Sequence, residues 1–93
     1  MIIVRELSGR IMAPLLGFRV DRAKFFRVVA LMEDKGSEQW DFDYPLAVGF
    51  RFEKQAYEVL DWIFERMKVQ RRNPNIIIDM KECPFLRRPT DEE

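Results

Sequence analysis

From Trp40 to Phe52 every even position carries a large apolar side chain: Trp40, Phe42, Tyr44, Leu46, Val48, Phe50 and Phe52. Asp41, Asp43, Pro45, Ala47, Gly49 and Arg51 fill the odd positions. Successive side chains of a strand point to opposite faces, so period two gathers all the bulky groups on one face. The spacing predicts a strand over residues 39–52, with one face against a core and the other towards solvent. Pro45 has no N–H to give a ladder, which predicts an edge position or a bulge there. A chain holding such a strand needs a sheet for it to join and a layer to cover its apolar side.

The covering layer is legible further on. Residues 54–71 place Ala56, Leu60, Ile63, Phe64 and Met67 on one arc at about 100° per residue, flanked by Tyr57 and Val59. Glu53, Glu58 and Asp61 lie early in this segment and Arg66, Lys68, Arg71 and Arg72 lie late, complementing the helix dipole. Asn73-Pro74-Asn75 stops it. Ile76 to Met80 then reads as a buried strand, and Ile2–Glu6 and Leu15–Val20 as two more, the latter weakened by Pro14 and Gly17. Lys24 to Asp34 is rich in β-branched and aromatic residues and precedes the polar Lys35-Gly36-Ser37-Glu38. It reads as the first arm of a hairpin. A helix over 22–34, capped by Asp21 and ended by Gly36, is the rival reading. The expected order is β-β-β-β-α-β. The fold class is α+β: a mainly antiparallel sheet of four or five strands with one principal amphipathic helix. One domain over residues 1–83 is expected, with 84–93 as an extended tail.

The functional signal is mostly exclusion. The chain has no histidine and one cysteine, Cys83. That removes the commonest general base, the Ser-His and Cys-His pairs and the usual zinc ligand sets. No glycine-rich phosphate loop occurs. No cofactor and no catalytic residue is assigned. The lone cysteine fits a reducing compartment, no apolar run reaches the length of a membrane span, and charge enters too early for a leader peptide. A cytoplasmic location is the expectation. Cys83, near basic neighbours, reads as an inert, partly buried thiol.

Net charge is zero, from 16 basic and 16 acidic side chains. The charges nevertheless come in blocks: basic over 1–32, acidic over 33–65, basic over 66–88 and acidic at the end. Trp62 stands out, because the wheel puts it about 130° from the centre of the apolar arc, near Glu58, Glu65 and Val69. A tryptophan on an outer face exposes apolar area that favours burial, and Trp and Arg are typical interface anchors. Trp62, Val69, Arg66 and Glu58 are therefore the candidate partner-binding residues. The competing reading has a helix rotation or another segment covering Trp62 within the monomer.

The main functional expectation is a non-catalytic protein-binding module, an adaptor or inhibitor, with self-association as one form of it. A second is nucleic-acid binding through Arg66, Lys68, Arg71, Arg72, Arg87 and Arg88, opposed by the acidic middle block. A third starts from Asp79-Met80-Lys81, which over three residues resembles the (D/E)xK element of metal-dependent nucleases. It implies a hydrolase in which Asp43, from a neighbouring strand, joins Asp79 and Lys81 around Mg²⁺. The Pro-Asp element that usually accompanies that motif is absent. The alternating Trp40, Phe42 and Tyr44, with Asp41 and Asp43 between them, read as core rather than as an edge for a basic partner.

Overall fold

The computed structural model describes residues 1–22, 24–33 and 41–86. Its elements are β1 (Ile2–Arg5), β2 (Ile11–Arg22), β3 (Phe26–Glu33), β4 (Asp41–Phe50), helix α1 (Glu53–Val69) and β5 (Ile76–Asp79). A single 3₁₀ turn, Met80–Glu82, follows β5. The strands form one mixed sheet in the order β4-β3-β2-β1-β5, antiparallel throughout except where β5 runs parallel to β1. This is the expected β-β-β-β-α-β chain order and α+β class. Residues 26–33 are a strand, so the helical alternative for that segment falls away.

The sheet order dictates how the helix must lie. β4 and β5 are the two edges, so α1 has to carry the chain across the full width of the sheet. Four inter-strand steps span about 19 Å, and 17 helical residues span about 25 Å. Accordingly α1 touches β4, β3, β2 and β5. Gln55 closes its first turn: its Oε1 accepts from the Phe52 N–H at 3.1 Å, while the Gln55 N–H donates to the Phe52 carbonyl at 3.0 Å.

The core lies between helix and sheet. Val4, Met12, Leu15, Val28, Ala30, Ala47, Ile78 and Met80 from the sheet side meet Ala56, Val59, Leu60 and Ile63 from the helix. Cys83 and Leu86 join the same cluster. Of the residues expected to form a tail from residue 84, Leu86 is buried in this cluster, Pro84 and Phe85 are exposed, and 87–93 lie outside the described residues.

Two strands depart from simple alternation. In β2 the residues reaching the core are Met12 and Leu15, with Phe18 and Val20 packed against it. Register shifts on either side of Leu15 insert extra residues there. Pro14 and Gly17 therefore sit in one continuous 12-residue strand, because bulges accept a missing N–H and a missing side chain. In β4 the shifts fall beside Val28, whose partner is Ala47. They carry Ala47 into the core and turn Val48 out, leaving it 63% exposed. Gly49, at φ +84°, takes a left-handed conformation that side chains resist. The expectation that every even residue from 40 to 52 shares one face is corrected here. Leu46 and Phe50 pack on the core, but Val48 and Phe52 are exposed. Trp40 lies outside the described residues. Pro45 occupies an edge strand and adjoins a register shift, as its missing donor requires.

Candidate interaction surfaces

The helix is rotated relative to its expected orientation. Ala56, Val59, Leu60 and Ile63 are buried, and Trp62 is half-buried and packed against the core. Phe64, assigned to the apolar arc by spacing, is 46% exposed, and Tyr57 beside it is 45% exposed. The physical reason is area: an indole buries more apolar surface than a phenyl ring, and Tyr57 keeps its hydroxyl in water. Trp62 thus packs on the core and keeps only part of its ring accessible. Of its expected companions, Glu58 and Arg66 are half-buried and Val69 is exposed.

The basic helix end is present as a surface. Lys68, Arg71 and Arg72 are exposed and Arg66 is half-buried, and none of them forms an ion pair among the described residues. Arg87 and Arg88, the rest of that candidate set, lie outside the described residues.

The expectation that Asp43 lies on a strand neighbouring Asp79 is corrected by the topology. Asp79 ends β5 and Asp43 lies on β4, the two opposite edges of a sheet about 19 Å wide. Asp79 is instead engaged locally. It accepts from the Lys81 N–H at 3.1 Å and pairs with Arg5 at 3.9 Å. No group of three metal-ligating side chains occurs among the described residues. Cys83 is buried, and burial pushes its thiol above the ordinary 9.0, an effect partly offset by the Phe85 backbone. An inert thiol follows.

Sequence reasoning missed the second face of the sheet. Side chains next to the core positions Val4, Met12 and Ile78 alternate away from the helix, and Leu16, the extra residue at the register shift after Leu15, is exposed. The resulting row is Ile3, Ile11, Leu16 and Ile77, the last three 59%, 55% and 54% exposed. Ile3 and Ile77 are register partners, and Ile11 lies opposite Arg5. Ion pairs flank this apolar row on both sides. Arg5–Asp79 is on one side; on the other, Asp21 receives Arg27 at 3.0 Å and Arg19 at 3.5 Å. The Arg27 hydrogen bond, followed by the Arg22 backbone N–H, holds the Asp21 carboxyl below its ordinary 3.8. The available signal was Ile76-Ile77-Ile78, which is apolar on both faces; it was read as a buried strand, yet Ile77 is exposed.

The short β5 edge is closed by a side chain. The Gln70 amide donates through Nε2 to the Ile77 carbonyl at 2.8 Å and accepts through Oε1 from the Ile77 N–H at 2.9 Å. A neighbouring strand would offer the same two groups, so the edge is occupied without one.

No helix among the described residues is long and apolar enough to cross a membrane. Comparison of the chain with protein-family models, curated proteins and solved structures found no match.

Proposed function

We propose that this chain is a small non-catalytic protein-binding module, an adaptor or inhibitor, that presents one face of its sheet to a protein partner. One observation carries the reading: Ile3, Ile11, Leu16 and Ile77 form an apolar row on the sheet face opposite α1, with ion pairs on either side. An apolar centre with a polar rim is the general anatomy of a protein interface. The sheet edges favour a face over strand addition. Gln70 occupies the β5 edge, and Pro45 with its adjacent register shifts interrupts β4. The absence of histidine and the single cysteine support a non-catalytic role, and the single cysteine supports a cytoplasmic one.

The test is a tagged chain incubated with nuclease-treated lysate beside the variants Ile77→Glu and Leu16→Glu. A stoichiometric protein should be retained by the parent and lost by both variants, whose thermal midpoints stay close to the parent's. Retention of the same protein by both variants would remove the sheet face from consideration.

Lys68, Arg71 and Arg72, exposed and without an ion pair among the described residues, favour a second reading, nucleic-acid binding at the helix C-terminus. Phosphate contacts predict affinity that falls steeply as salt rises. A flat salt response with labelled DNA and RNA would dismiss it.

A further inference from the structure

On the flank of α1 that the rotation leaves uncovered, Glu53, Tyr57, Asp61, Phe64 and Lys68 follow one another within an arc of about 80° at 100° per residue. All are exposed, and none forms an ion pair among the described residues. The stripe is graded: acidic at the helix start, aromatic in the middle, basic at the end. We propose that this stripe is a self-association surface, and that its occupant is the same stripe of a second copy in antiparallel orientation.

The grading selects that occupant. A two-fold axis midway between Tyr57 and Phe64 lies about 5 Å along the helix from each of them and about 11 Å from Glu53 and Lys68. Tyr57 of one copy then meets Phe64 of the other. At the same register Glu53 faces Lys68, and each contact occurs twice, as an isologous interface demands. A parallel arrangement would set like charges against each other along the whole stripe. The chain carries no net charge, so two copies meet without overall repulsion. The two Asp61 carboxylates approach each other near the axis and oppose the contact.

A single helix flank about 25 Å long and 10 Å wide is a small interface. Each copy contributes on the order of 300–400 Å², below the roughly 800 Å² per partner of a standard interface. The dimer is accordingly weak and transient. The contact leaves the sheet face opposite α1 free in both copies.

Sedimentation equilibrium of the full chain, from micromolar to millimolar, tests the proposal. The parent should dimerise, and Phe64→Ser should weaken the dimer roughly tenfold. Glu53→Lys and Lys68→Glu should each weaken it several-fold, whereas the double variant Glu53→Lys/Lys68→Glu should recover it, because the swapped charges face each other again. Asp61→Asn should tighten it. The charge reversals lie on the exposed surface and remain informative even if Phe64→Ser does not fold. A monomer at every concentration overturns the proposal. So does a dimer that ignores the helix variants and is lost with Ile77→Glu, which would place the second copy on the sheet face. A double variant weaker than either single reversal overturns the antiparallel register.

Discussion

The two faces of this sheet are built from the same strands and differ in how much apolar area they leave in water. Towards the helix, Val4, Val28, Ala30, Ile78 and Met80 are sealed from water. No buried polar or charged residue occurs among the described residues. On the other side, Ile11, Leu16 and Ile77 stay exposed beside the Asp21–Arg27 and Arg5–Asp79 pairs. Most of the apolar area that leaves water does so on the first face. The second face is mixed: Val29, between Val28 and Ala30 in β3, is fully buried there, while Ile11, Leu16 and Ile77 hold exposed apolar area that is available for binding.

The largest expected effect comes from the covered face. Ile63→Ala removes a fully buried side chain beneath the helix and should cost about 3–4 kcal/mol, read as a lower urea midpoint. A loss of less than 1 kcal/mol would mean that the helix is not the principal cover. Trp62→Ala comes next, at about 2 kcal/mol, since the ring is half-buried against the core. A variant with unchanged stability would restore Trp62 as an exposed anchor and erase the helix rotation on which the comparison rests.

Gln70→Ala should cost about 1 kcal/mol, the scale of hydrogen bonds lost at an accessible site. It should also speed hydrogen exchange at the Ile77 amide, and unchanged exchange would show that Gln70 does not close the β5 edge. The smallest effect belongs to the face opposite α1 and depends on pH. Because Asp21 is held below its ordinary 3.8 in the folded chain, its contribution is complete above that value. It is lost as pH falls from there through the lowered native value. Urea midpoints measured between pH 6 and pH 2.5 should therefore fall less steeply in Asp21→Asn than in the parent. Identical slopes would mean that the Asp21–Arg27 pair adds nothing to this face.

Much of the architecture could be read locally. Ile63 and Leu60 announce a helix by spacing, Lys24 to Asp34 a strand by composition, and Pro45 an edge or bulge by its missing donor. The errors share a cause. Val48 follows the alternation perfectly and still faces water, because the β3–β4 register gains residues that only the pairing of the two strands defines. Phe64 and Trp62 exchanged roles because a helical wheel gives the arc but not the angle at which it docks. Asp43 and Asp79 looked like neighbours because order along the chain does not give order across the sheet. Ile77 looked buried because an apolar triplet cannot say that only one of its faces will be covered.

What the sequence determined by itself was periodicity, and with it the kind and order of the elements. Period two and period 3.6 arise from backbone geometry that each short segment carries alone. It also determined the chemistry that is missing, since a chain without histidine cannot acquire one by folding. The tertiary structure alone decided which strands are neighbours, where the ladders gain a residue, which flank of the helix turns inward and which face of the sheet the helix covers. Those outcomes depend on how distant segments compete to bury a limited apolar area, and no local window of residues contains that competition.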